Sequence, residues 1–203
     1  MFSERGARAQ ARSYRRSGLD AGSRRIVALL KERGVDGLTL LEVGGGIGAI
    51  QIELLKAGLA RAVSVELTPT YEESAAELLR EAGFEDRVER RVMDFVNAGA
   101  DIGAADIVVM NRVICCYPDL PRLAGAAADH ARGLLVMTFP KERWWTRVMV
   151  WMANAGMGLT RREFRIFLHP MAQILATGEK HGLRLSVDRP GVFWEITAME
   201  RTA

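Results

Sequence analysis

Short apolar runs alternate with amphipathic stretches along this chain, a rhythm that predicts βαβ units around a parallel sheet. Leu38–Val43 is an apolar run of the buried-strand type, and Ile47, Ile50, Leu54 and Leu55 after it fall at helical spacing. Ala62–Glu66 predicts the second strand, and Tyr71, Ala75, Leu78, Leu79 and Ala82 then share one helix face. Val88–Met93 and Asp106–Met110 read as strands three and four, Leu120–Arg132 as a helix, and Leu134–Phe139 as strand five. Leu183–Val187 and Val192–Met199, separated by Arg189-Pro190-Gly191, predict a terminal antiparallel hairpin. Two segments stand outside this rhythm. Leu19–Arg33 is a helix with Leu19, Ile26, Leu29 and Leu30 on one face, and Lys141–His181 is long, helical and rich in Trp and Met. The predicted fold is α/β: a doubly wound, seven-stranded, mostly parallel sheet with a C-terminal antiparallel hairpin. One domain over 1–203 is expected, with a basic N-terminal arm and helix at 1–34 and a helical lid insertion at 141–181.

Composition narrows the classes without naming one. The 203 residues are 49% hydrophobic and 26% charged, which excludes a disordered or fibrous chain. Net charge is +3, but residues 1–34 hold nine Arg or Lys against three acids. Such an arm suits nucleic acid or an anionic membrane surface. The simpler reading is a general preference for Arg, which outnumbers Lys 24 to 4 along the chain. Cys115 and Cys116 are adjacent and are the only cysteines, so neither a disulfide framework nor a zinc site is expected, and a reducing cytoplasm fits. The longest strongly apolar stretch without charge, Val148–Thr160, has 13 residues, whereas a membrane span needs about 18. No transmembrane segment and no bound metal are expected.

The segment that carries chemistry is Leu40-Leu41-Glu42-Val43-Gly44-Gly45-Gly46-Ile47-Gly48-Ala49, a strand entering a glycine-rich turn and then a helix. Glycine frees the backbone for unusual angles and close ligand approach, and helix amides beyond it present positive dipole ends. A nucleotide-like ligand at the carboxyl edge of the sheet follows. Gly44-x-Gly46-x-x-Ala49 also satisfies the loose dinucleotide fingerprint. Glu42 argues against a diphosphate, because a carboxylate there suits an ammonium group and repels phosphate. Gly48 extends the run to Gly-x-Gly-x-Gly. Glu66 closes the second strand, where a carboxylate can accept from both ribose hydroxyls. That last feature fits either ligand.

At these positions the chain resembles the class I S-adenosylmethionine (SAM)-dependent methyltransferases, in the small-molecule branch. LLEVGGGIGAIQIELL is similar to their first motif, AVSVEL to the second-strand acid, RVMDF to the third-strand acid and ADIVVMNRVICCYPD to the fourth-strand motif. The resemblance covers about residues 38–140 and implies SAM as cofactor and S-adenosylhomocysteine as product. It implies Gly44, Gly46 and Gly48 around the methionine part, with Glu42 holding the turn and the ammonium group. Glu66 is implied at the ribose, Leu67 against the adenine, Asp94 at the adenine amino group and Phe95 beside it. Asn111, Arg112 and Val113 are implied beneath the amino-acid end. Asp94 as a plain turn cap and Asn111 as a plain strand end are the alternatives. The Asn111-Arg112-Val113-Ile114 segment lacks the Pro-Pro-aromatic run usual in amino-methylating nucleic-acid enzymes, and no base-flipping signature is present.

On the acceptor side the candidates are Tyr14, Tyr117 and His169. Tyr14 lies in the basic segment that in relatives often folds over the cofactor. Tyr117 follows the fourth strand. His169 precedes the helix-starting Pro170 and would serve as base or donor, or simply as a polar residue at a helix start. Trp144, Trp145, Met149, Trp151, Met152 and Met157 suit a lid or wall for an apolar acceptor, a plain core, or the face of a homodimer. With Phe139-Pro140 this cluster resembles the tetrapyrrole and quinone-ring methyltransferases, which implies a bulky, flat or lipid-like acceptor methylated on oxygen or carbon. Two other readings stay open: an NAD(P)-dependent oxidoreductase, and a non-catalytic SAM-binding protein.

Overall fold

Among the described residues of this computed structural model, 3–97, 101–159 and 164–202, the strands are β1 (Thr39–Val43), β2 (Arg61–Glu66), β3 (Val88–Val92), β4 (Ala105–Asn111), β5 (Ala131–Pro140), β6 (Leu183–Arg189) and β7 (Trp194–Arg201). They pair in the order β3-β2-β1-β4-β5-β7-β6. The first five are parallel, and β7 runs antiparallel between β5 and β6. The chain winds from β1 outward to β3 and then returns to β4 on the other side of β1. That reversal between β1 and β4 opens a crevice at the carboxyl ends of the strands, where ligands bind in such sheets.

The helices are α1 (Glu4–Ser17), α2 (Ala21–Arg33), α3 (Ala49–Leu55), α4 (Glu72–Ala82), α5 (Leu120–His130), α6 (Trp144–Leu159) and α7 (Met171–Lys180). The pleat of β1 divides the core. Leu41 and Val43 pack with Leu123, Ala127 and Ile174 of α5 and α7. Leu40 packs on the other face with Ile26 and Leu30 of α2 and Leu54 of α3. Glu42 shares the face of Leu40, which places a carboxylate under the first turn of α3.

Three details differ from the expectation. Residues 4–17, read as a basic arm, form a 14-residue helix. Its packed residues are Ala7 and Ala11, too small to give an apolar stripe, and they lie against Leu78 and Leu79 of α4. Its cations face acids: Arg8 pairs with Glu73 at 2.9 Å, and Arg15 with Glu81 at 2.6 Å and Glu77 at 3.1 Å. Strand five starts at Ala131, where α5 ends and Ala131 pairs with Ala105. The long segment 141–181 divides into α6 and α7, with no regular secondary structure over residues 164–170.

Candidate active site

The turn after β1 strongly favours glycine. Gly44, Gly46 and Gly48 take φ of 68°, 55° and 78°, in the left-handed region. A Cβ on Gly44 would also sit 2.5 Å from Val113 Cγ2, so the loop lies directly against the tip of β4. A Cβ on Gly46 would meet nothing nearer than the Tyr71 ring at 4.0 Å, so this residue borders open space. Gly48 acts differently: it caps α3 and is absent from the cavity wall.

Beneath the loop runs a row of polar side chains in register across three strands. Glu42 pairs with Ser64, and Ser64 with Arg90. Glu42 is buried and accepts from Gln51 Nε2 at 2.8 Å. Burial pushes its carboxyl up to about 7, against the Gln51 hydrogen bond and the Arg90 charge. Arg90 donates to the Gly46 carbonyl at 3.0 Å and to Glu72 at 2.7 Å, and its other arm reaches Ser64 Oγ at 3.3 Å. The Gly46 peptide is thus held from both sides, because Glu66 Oε1 accepts from its amide at 2.5 Å. Burial raises the Glu66 carboxyl above its ordinary range, opposed by that amide and by Arg90.

The cavity above the loop has a volume of about 830 Å³, within the range of about 300–1,000 Å³ usual for small-molecule sites. Of the residues implied for the cofactor, Glu42, Gly44, Gly46, Glu66, Leu67, Asp94, Phe95, Asn111 and Arg112 all line it. Leu67 is exposed at the rim. Both oxygens of Asp94 are used locally, on the Val96 amide at 3.0 Å and on Asn97 Nδ2 at 2.8 Å, so this acid caps its turn as well as facing the cavity. Phe95 is buried, its ring tilted against His130 at 5.2 Å between centroids. Asn111 accepts from Thr138 Oγ1 at 2.8 Å and donates to Ser23 Oγ at 3.2 Å. Arg112 bonds Asp20 at 2.6 Å and lies over the Trp194 ring at 5.3 Å.

Two of the three acceptor-side candidates also reach the cavity. Tyr14 and Tyr117 line it, and His169 does not. Tyr14 donates to Glu53 at 2.7 Å, and burial together with that bond holds its phenol above its ordinary range. His169 Nε2 donates to the Tyr117 carbonyl at 2.9 Å, which places it behind the wall. The Trp and Met cluster divides: Met149 lines the cavity, Trp145 packs on Phe193 at 6.0 Å, and Trp144, Trp151 and Met152 are exposed. The sequence reading missed Arg90, Gln51, and the α1 residues Gln10 and Ser13 that join the wall. A charged residue inside a predicted strand, in register with Ser64, was the available signal for Arg90.

These residues fit SAM. Two buried carboxylates flank a glycine cradle with open space at Gly46, which suits an ammonium group and a ribose diol and disfavours a diphosphate. Residues 41–132 match the family model described as a methyltransferase domain. No curated protein matches the chain by sequence. Among solved structures, the magnesium protoporphyrin IX methyltransferase of Synechocystis with bound S-adenosylhomocysteine aligns at TM-score 0.73 and 18% identity, covering 89% of this chain and 82% of that one. An O-methyltransferase family protein from Burkholderia thailandensis aligns at TM-score 0.75 and 20% identity, over 98% of this chain and 60% of that one. An O-methyltransferase family 2 protein from Planctomyces limnophilus in complex with apigenin gives TM-score 0.72 and 18% identity, over 100% and 62%. SAM fits the site better than a nicotinamide, and the chain carries a methyltransferase domain on the Rossmann-like methyltransferase fold.

Proposed function

We propose that the methyl acceptor is a small apolar or aromatic molecule, methylated on oxygen or carbon. The observation that carries this reading is the composition of the cavity wall away from β1 and β2. Pro140 at the end of β5, Met149 and Val150 of α6, Ile166, Phe193 and Trp194 form it. Flat apolar groups bind such walls by burial and ring stacking. The structural neighbours named above include a protoporphyrin methyltransferase and a protein in complex with apigenin, which supports a flat acceptor.

Bound SAM supplies a methyl group already activated on a sulfonium, so the work left to the protein is alignment. The Gly44–Gly46 loop and Glu66 fix one reactant, and the apolar wall fixes the other and excludes water. Holding two reactants in line in this way contributes about 7–11 kcal/mol. Tyr14, whose hydroxyl is engaged by Glu53, keeps its proton and shapes the wall. Tyr117 offers its ring and hydroxyl just after the single 3-10 turn Ile114–Cys116 that follows β4, with His169 as its positioning residue through the backbone carbonyl.

The test is a screen of metabolite extracts and a panel of porphyrins, flavonoids and quinols with labelled SAM, alongside SAM calorimetry. Label in a low-molecular-weight apolar product, lost in Glu66→Ala, is the expected result. Label confined to protein or RNA would refute the reading, as would SAM binding without any product.

A further inference from the structure

Helix α6 is apolar on both faces, yet only Thr146 and Val150 of its sixteen residues are buried. One face serves the cavity through Met149 and Val150. The other carries Trp144, Val148, Trp151, Met152 and Leu159, which at 3.6 residues per turn fall within an arc of roughly 100°. These are large groups left in solvent: Trp144 is 78% exposed, Trp151 71% and Leu159 91%. A continuous stripe of this kind marks an interaction surface.

The charges around the stripe select its occupant. Lys141, Arg143 and Arg147 stand at the N-terminal end of α6, with Glu142 as the one exposed acid among them. At the C-terminal end, a Cβ on Gly158 would lie 3.7 Å from the Arg165 guanidinium, so a fourth cation borders the stripe. Lys141 pairs with the buried Glu195 at 3.6 Å, and with that acid counted the rim still carries +2. A second copy docked on the same face would bring two such cationic rims together, because a two-fold interface presents each patch to itself. An anionic lipid surface satisfies both features: Trp and Met enter the headgroup boundary while Lys and Arg meet phosphate. No helix among the described residues is long and apolar enough to cross a membrane, so the contact is lateral.

We propose that α6 is a membrane-surface helix: its Trp144–Leu159 stripe seats in an anionic phospholipid leaflet while its inner face walls the methyl-transfer cavity. The contact does not depend on the acceptor, and the vesicle experiment contains none, so its failure and that of the acceptor reading are separate results.

The experiment uses the purified full chain and extruded phosphatidylcholine vesicles with or without phosphatidylglycerol. Expected are co-sedimentation with the anionic vesicles, a blue shift of tryptophan emission and release by added salt. The double variant Trp144→Ser, Trp151→Ser should weaken vesicle binding at least tenfold, and Arg143→Glu, Arg147→Glu by a similar factor. Neither pair should change SAM affinity by calorimetry, which shows that the fold survives. Absence of binding to anionic vesicles would overturn the proposal, and so would binding by both variants as tight as that of the unaltered chain. A concentration-dependent dimer in sedimentation, dissolved by the Trp144→Ser, Trp151→Ser change, would assign the stripe to self-association and overturn it as well.

Discussion

Glu42→Gln isolates the electrostatics of the cofactor loop. The wild-type carboxyl is buried, and burial raises it to about 7 from an ordinary 4.5. Because the folded state holds this proton more tightly than the unfolded chain, the stability it contributes is complete below pH 4.5 and is lost as pH rises through 7. At about 1.4 kcal/mol per pH unit, a rise from 4.5 to about 7 amounts to about 3 kcal/mol in all. Of that, about 2 kcal/mol falls between pH 5.5 and 8.5. Glutamine does not titrate, and its carbonyl can still accept from Gln51 Nε2. Its amide also brings a donor to a site where Gln51 Oε1 is buried without a partner. Urea unfolding of both proteins at pH 5.5 and 8.5, at fixed ionic strength, measures the difference directly. Wild type should lose about 2 kcal/mol relative to Glu42→Gln across that interval, with m-values unchanged. Parallel curves, within about 0.5 kcal/mol, would refute the assignment of a buried, proton-holding acid here.

Other substitutions test the loop and its surroundings. Gly44→Ala puts a Cβ against Val113 in a left-handed conformation. It should cost about 1–3 kcal/mol and lower Tm by roughly 2–10 °C in a thermal melt. Arg90→Met removes the bonds to Gly46, Ser64 and Glu72. It should destabilise by about 1–3 kcal/mol, and SAM affinity by calorimetry should fall about tenfold. Tyr14→Phe deletes one hydrogen bond to Glu53 and should cost about 1 kcal/mol. Once the acceptor is identified, the pH–rate profile of Tyr14→Phe should match wild type, and a displaced basic limb would assign proton transfer to Tyr14.

The parts legible in the sequence are those encoded by local pattern. The β1 strand, its glycine turn and α3 follow from apolar spacing and from left-handed angles that glycine alone adopts freely, and the mostly parallel sheet with its terminal hairpin follows from the βαβ rhythm. Features that depend on tertiary partners were illegible. Helix α1 packs through Ala7 and Ala11 and is tied by Arg8 and Arg15 to acids more than sixty residues away, so its sequence reads as a charged arm. Arg90 looks like a solvent-facing strand residue until the register sets it beside Ser64. The aromatic segment read as one lid is divided by the fold. Helical phase sends Met149 to the cavity and Trp151 to solvent, a distinction that composition does not carry.

The tip of β4 couples the two halves of the site. Arg112 has φ of 61°, the one left-handed non-glycine among the described residues, a conformation that costs on the order of 1 kcal/mol or more. A closed ring of hydrogen bonds holds it. Its amide donates to Thr138 Oγ1 at 2.7 Å, and Thr138 in turn donates to Asn111 at 2.8 Å. Asn111 donates to Ser23 at 3.2 Å, Ser23 donates to Asp20 at 2.7 Å, and Asp20 accepts from the Arg112 guanidinium. Since Val113 follows directly and abuts Gly44, the strained residue sets how far the cofactor loop can move. Thr138 is buried, so Thr138→Val leaves the Arg112 amide without its acceptor, at a cost of about 1–3 kcal/mol. If the ring positions the loop, SAM affinity of Thr138→Val should fall about tenfold, roughly 1.4 kcal/mol. Thr138→Ser, which keeps the hydroxyl, should stay within about twofold of wild type, about 0.4 kcal/mol. A Thr138→Val protein that is less stable yet binds SAM like wild type would mean that the ring supports the fold alone and that Gly44 holds its place without it.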